Sequence, residues 1–165
     1  MLSIGLKCTP STLFYVVLEI TDASRRVLEH ERIVLGDNQP LPERLHTSMG
    51  RLKTVIGRFK SHGLAGVGLK ITEQQALRNR INQASINRLY SEGCVQVAVV
   101  DCGLPIQTFN ANQIKAALQT SQRLEGYVAA GEFREIEGID RFQKSTRSDW
   151  MDATAAALSI LEGPK

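Results

Sequence analysis

Near residue 40 the apolar period of this chain changes from two to between three and four, and that change restricts it to a mixed α/β fold. Leu2, Ile4, Leu6 and Cys8 alternate as in a half-buried strand. Thr9-Pro10-Ser11-Thr12 is a turn, and Leu13–Ile20 is a β-rich run that pairs back on the first. Arg25–Leu35 is the third strand of an antiparallel meander. Leu41, Leu45, Met49, Leu52, Ile56 and Phe59 then fall on one helical stripe, closed by His62-Gly63. Leu64–Ile71 predicts a strand and 72–92 a helix, with Thr72 as its N-cap, Leu77, Ile81, Ala84 and Leu89 inward, and Gly93 as its stop. The run Val95–Val100, apolar but for Gln96, predicts a strand buried on both faces. Ile106–Phe109 is a short extended piece, Asn110 caps a helix carrying Ile114, Ala117 and Leu118, and Asp149–Leu161 is an alanine-rich final helix. The expected product is one α/β domain over 1–165. It has a mixed five-stranded sheet, antiparallel meander first and parallel βα units after, with helices on both faces.

Composition narrows the function classes. A 165-residue chain with 42% hydrophobic and 22% charged residues suits a single self-sufficient core. A net charge of +3 is mildly basic, so where the cations lie matters more than their sum. Cys8, Cys94 and Cys102 form no CxxC pair and lie near none of His30, His46 and His62 in sequence, which argues against a disulfide framework or a zinc site. The longest apolar stretch, Leu13–Leu18, is too short for a membrane span or a signal core, and a soluble cytoplasmic protein is expected.

Several local patterns together resemble the RuvC-type Holliday junction resolvases of the RNase H-like superfamily. The final helix, Asp149-Trp150-Met151-Asp152-Ala153-Thr154-Ala155-Ala156-Ala157, is similar to that family's closing D-x-x-D-A-x-A-x-A. Leu104-Pro105-Ile106, followed by Asn112-Gln113-Ile114-Lys115, looks like its strand and helix start. Ile4-Gly5-Leu6-Lys7 stands where the family has G-I-D. Gly66-Val67-Gly68-Leu69-Lys70 stands where it has a strand ending in a catalytic Glu.

The resemblance implies four carboxylates around two divalent ions, Mg²⁺ or Mn²⁺, that activate water and stabilise the leaving oxygen. Here Asp149 and Asp152 hold two of those positions and share a helix face. Lys7 and Lys70 hold the other two, and a protonated ammonium cannot ligate a metal. Four carboxylates with two divalent cations are neutral; two carboxylates with two lysines are neutral without metal. The expectation is therefore a degenerate site, no cofactor, and Lys7 and Lys70 paired with Asp149 and Asp152. Two alternatives stand beside it. Asp149 and Asp152 are equally an N-terminal cap and a dipole-compensating pair, and Glu19, Glu73 and Asp101 lie near strand ends as displaced ligands.

Basic residues cluster on predicted helices and loops: Arg51 and Arg58 on helix 41–62, Arg78 and Arg80 on helix 72–92, then Lys115, Arg141, Lys144 and Arg147. They are candidate phosphate contacts. The expected function is a RuvC-like pseudo-nuclease that binds branched or double-stranded nucleic acid, or a protein partner, as a homodimer joined through helix 72–92. A metal-dependent nuclease with a rearranged acidic site and a scaffold protein are the alternatives.

Overall fold

A computed structural model describes residues 1–36, 39–71, 82–119 and 136–162. Its elements are β1 (Leu2–Cys8), β2 (Thr12–Ile20), β3 (Arg25–Val34), α1 (Leu41–Lys60), β4 (Leu64–Lys70), α2 (Gln83–Asp101), β5 (Ile106–Phe109), α3 (Ala111–Ala117), β6 (Ile136–Glu137) and α4 (Arg147–Glu162). The strands form one sheet in the order β5-β4-β1-β2-β3-β6. β1, β2 and β3 are antiparallel neighbours, and β1 lies parallel to β4, as the alternation and the period switch predict. The sheet has six strands rather than five: the short piece Ile106–Phe109 is the edge strand β5, the two-residue β6 adds to the edge of β3, and the strand expected over 95–100 is helical.

Period-two alternation sends the two faces of the sheet into two cores. Leu2, Ile4, Leu6 and Cys8 of β1 join Tyr15, Val17, Val67 and Leu69 under α1 and α2. Phe14, Val16, Leu18 and Val27 join Ile114, Trp150, Met151 and the alanines of α4 on the other face. Trp150 is central to the second core. It meets Phe14 edge-on at 4.8 Å, stacks on Phe142 at 5.6 Å, and its indole N–H donates to Thr146 Oγ1 at 3.1 Å. Asn110 caps α3 as expected, its side chain accepting from Gln113 N while Gln113 bonds back.

The segment 95–100 is a correction. Val95–Val100 is not a strand but the C-terminal part of α2, and Gly93 lies inside that helix rather than at its end. A six-residue run with five apolar positions is too short to separate a strand from a buried helical turn by its period. In α2 the run splits by helical phase: Val95, Ala98 and Val99 are buried, while Val97 and Val100 are exposed. The helix begins at Gln83 with Asn82 as its cap, and Ala84 and Leu89, expected inward, are exposed. Thr72, Glu73, Leu77, Arg78, Arg80 and Ile81 lie outside the described residues. Among the described residues no helix is long and apolar enough to cross a membrane.

Candidate functional site

The site begins with small residues. On the face of the sheet that meets α4, β1 presents Ser3, Gly5 and Lys7 and β4 presents Gly66, Gly68 and Lys70, paired in register as Ser3↔Gly66, Gly5↔Gly68 and Lys7↔Lys70. The first four positions make a trench with almost no side-chain volume. The alanines of α4 descend into it until helix backbone meets sheet backbone. A Cβ added to Gly5 would overlap the Ala153 carbonyl, and one added to Gly68 would overlap that of Ala156. Ser3 Oγ donates to Ala157 O at 2.8 Å, fixing the helix along the trench. The helix runs antiparallel to β1, with Ala157 over Ser3, Ala153 over Gly5 and Asp152 over Lys7.

The trench therefore ends in two lysines facing the first turns of α4. Lys7 and Lys70 are each 7% exposed. Lys7 Nζ donates to Asp152 Oδ2 at 2.7 Å, and the Asp152 side chain is 39% exposed, so the pair opens to solvent on the helix side. Lys70 Nζ donates to the Ile71 carbonyl at 3.1 Å. Asp149, in the first turn of α4, is half-buried. Burial raises its pKa above the ordinary carboxylate value and the Asp152 charge adds to the rise, while Lys7 and Arg88 oppose it. The expected pairing thus holds for Lys7 with Asp152, and Asp149 stands beside that pair within its field.

One contribution to this corner had no sequence signal as a site feature. On α2, Arg88 Nε donates to Glu92 Oε1 at 3.0 Å, and the Glu92 side chain is 6% exposed. Both charges act on the Cys8 thiol at the end of β1, which burial chiefly pushes up, and Arg88 also acts on Asp149. The i,i+4 spacing of an Arg and a Glu reads in sequence as a solvated pair. Only the placement of α2 against β1 buries it. Of the proposed displaced ligands, Glu19 pairs with Arg26 and Asp101 with Lys53, both away from Lys7. Among the described residues, no group of three or more His, Cys, Asp or Glu side chains is placed to hold a metal ion.

The predicted phosphate contacts separate onto two sides of the sheet. Arg51 and Arg58 lie on α1, where they bond Glu31 at 3.3 Å and Glu29 at 2.7 Å; Tyr15 OH donates to both glutamates from below. Lys115 on α3, the exposed Arg141 and Lys144, and the half-buried Arg147 lie on the α4 side. The last three belong to the segment that leads into the Lys7 end of α4.

Asp152 and Asp149 are expected to respond oppositely to removal. Asp152→Ala leaves Lys7 buried without its carboxylate. The cost is about 2–3 kcal/mol, short of the roughly 3–5 kcal/mol of a fully enclosed pair because this one opens to water. Asp149→Asn changes stability by less than about 1 kcal/mol. Since the folded state holds the Asp149 proton more tightly than the unfolded chain does, the parent loses stability relative to Asp149→Asn as pH rises through and above the ordinary carboxylate range. Urea denaturation of both variants from pH 3 to 7 (in roughly unit steps around the ordinary Asp value of about 3.9) checks both signs.

Comparison with known proteins agrees with this fold. The chain is 26% identical over 158 residues to the crossover junction endodeoxyribonuclease RuvC of Magnetococcus marinus, covering 96% of this chain and 82% of that one. The solved RuvC of Thermus thermophilus in complex with a Holliday junction substrate superposes with a TM-score of 0.73 at 22% identity, over 96% of this chain and 92% of that one. The chain has a RuvC-like fold. The Fowlpox virus resolvase, solved with Holliday junction DNA, shares the RuvC-like arrangement more loosely, with a TM-score of 0.52 at 9% identity over 98% of this chain and 97% of that one. No family model matches the sequence.

Proposed function

We propose that this RuvC-like chain is a pseudo-nuclease, a homodimer that binds branched or duplex DNA without cutting it. The observation that carries the reading is the Lys7–Asp152 ion pair at 2.7 Å in the centre of the fold. A divalent ion of the resolvase type needs converging oxygen ligands. Here two ammonium groups end adjacent parallel strands, and one of the two remaining carboxylates is engaged by the nearer of them. That donor set does not suit Mg²⁺ or Mn²⁺. Support for nucleic-acid binding comes from the junction-bound structures it resembles and from Arg141, Lys144 and Arg147 in the segment that leads into α4. The free cysteines fit a reducing compartment, the cytoplasm.

Calorimetric titration with Mn²⁺, run beside a cleavage assay on four-way junctions, tests the reading. No tight binding and no cutting are expected. Tight binding with metal-dependent cutting that disappears in Asp149→Asn would overturn it in favour of a rearranged nuclease.

The dimer half of the proposal rests on α2. Tyr90, Val97 and Val100 are 57%, 62% and 61% exposed, Leu89 is exposed beside them, and an apolar groove of about 750 Å³ runs between α1 and α2, lined by Leu41, Leu45, Met49, Leu89 and Val97. A two-fold contact of this helix with itself would cover that surface. Light scattering at high micromolar concentration should give twice the chain mass for the parent and one chain mass for Val97→Arg/Val100→Arg. A monomeric parent sinks the dimer.

A scaffold reading has one observation in its favour: the basic residues occupy opposite sides of the sheet, and those on α1 are already paired. Fluorescent junction, duplex and single-stranded probes titrated at several salt concentrations separate the two, because a scaffold binds none of them.

A further inference from the structure

We infer that the neutral His30 imidazole latches the segment 138–146, which carries Arg141 and Lys144, onto the sheet, and that a proton on His30 releases it. The latch is independent of what the chain binds. Between β6 and α4 this segment is two isolated 3-10 turns, Ile139–Arg141 and Lys144–Thr146, entered through Gly138 at φ 90°. Its backbone hydrogen bonds run from Arg141 N to Gly138 O, from Phe142 N to Ile139 O and from Thr146 N to Gln143 O, all within the segment. Side chains therefore dock it: Ile139 and Phe142 enter the core under α4, and Thr146 accepts the Trp150 indole N–H. A piece held in this way opens at a lower free energy than the sheet beneath it.

Phe142 is the main anchor, and two rings hold it. It stacks on Trp150, and half-buried His30 meets Phe142 at 5.0 Å and Trp150 at 5.1 Å, edge to face. Register puts His30 opposite Val16, on the α4 face of β3. The charged groups on the elements around it are Arg32 on β3, Asp140, Arg141 and Lys144 on the segment, and Arg147 and Asp149 at the start of α4; β2 brings apolar Phe14 and Val16. Burial lowers the His30 pKa below the ordinary histidine value, and the Arg141 charge lowers it further. No carboxylate among the described residues offsets that cation at His30. The docked form thus holds the His30 proton less tightly than the opened form. Docking is at full strength above the ordinary histidine value and weakens as pH falls through it toward the lowered one. Protonation also sets an imidazolium against Arg141 inside the same small segment.

The chain carries one tryptophan, Trp150, so its emission reports on His30 directly, because a protonated imidazole beside an indole quenches it. The test titrates the full chain across the ordinary histidine value of about 6.5 and follows two signals. One is Trp150 emission. The other is the rate of tryptic cleavage after Arg141 and Lys144, each rate divided by that of an unstructured peptide of the same sequence at the same pH. Both are repeated in Asp149→Asn, which removes the titrating neighbour of the indole. Emission should fall with an inflection below the ordinary histidine value, and cleavage should rise severalfold over the same interval. His30→Phe should abolish both changes, and Arg141→Gln, read by cleavage at Lys144, should move the inflection up. The parent titration stands by itself if His30→Phe does not fold. An inflection at or above the ordinary value would mean that the rings hold the imidazolium, which overturns the latch. So would quenching without a rise in cleavage, which leaves the segment docked on a protonated His30, and so would an equal rise in His30→Phe, which assigns the opening to another group.

Discussion

Gly5→Ala and Gly68→Ala should each cost more than about 4 kcal/mol, enough to leave the chain unfolded or to lower its melting temperature by roughly 10 °C or more. Overpacking usually costs about 1–3 kcal/mol because flexible side chains give way. Here the obstacles are the Ala153 and Ala156 carbonyls, backbone atoms inside a regular helix, and they retreat only if α4 lifts from the sheet. Lifting it would also part Ser3 from Ala157 and Lys7 from Asp152. Gly50→Ala and Gly57→Ala are the matched controls. Both lie within α1 with nothing near an added Cβ, so the gain in helix propensity should stabilise by up to about 1 kcal/mol. Thermal melts of the four variants side by side check the contrast; melting of Gly5→Ala within a degree or two of the parent (about the experimental scatter on a scale of 2–4 °C per kcal/mol) would mean that the helix does not sit in the trench.

The paired change Lys7→Asp with Lys70→Glu should reverse the metal behaviour of the site. It places two carboxylates at the ends of β1 and β4, opposite Asp152 and with Asp149 alongside. Four carboxylates in one corner repel, so the metal-free double variant should be less stable than the parent. A divalent ion removes the repulsion and binds only the folded state. Mn²⁺ at a hundred times its dissociation constant should therefore return about 2.7 kcal/mol of stability. The parent should show no such shift. Melting with and without Mn²⁺ reads the effect directly, and an equal shift in parent and variant would show that the lysines do not control ion binding. Lys7→Asp alone leaves Lys70 facing the new carboxylate across the ladder and should bind Mn²⁺ more weakly than the pair.

How far these positions could be read in advance depended on the kind of signal. The meander, the β1–β4 contact and the α1 stripe were legible because alternation and helical spacing are written residue by residue. Lys7 was legible as a partner of a carboxylate of the last helix through the RuvC resemblance, which put both in one site, and because a lysine inside a sheet needs a carboxylate. Val95–Val100 was misread because burial on one helix phase and on two strand faces select the same residues over so short a run. Arg88 and Glu92 were missed because nothing in an i,i+4 pair says which way its helix will turn. The same resemblance put Lys7 and Lys70 in one site; their side-by-side placement needed the parallel register, a property of two strands that neither carries alone.

The pairing of Arg51 and Arg58 with Glu31 and Glu29 bears on how the molecule meets any polyanion. An arginine counted in sequence as a unit of positive charge exerts little field beyond its ionic partner, and salt shortens that field further. The α1–β3 surface is in this sense electrically quiet, whereas Arg141, Lys144 and Arg147 at the start of α4 leave the opposite side of the sheet polarised. A lopsided charge distribution exerts a torque in an external field. Rotational diffusion near a polyanion would then be biased before contact, turning the α4 end forward and shrinking the fraction of encounters wasted on the wrong face.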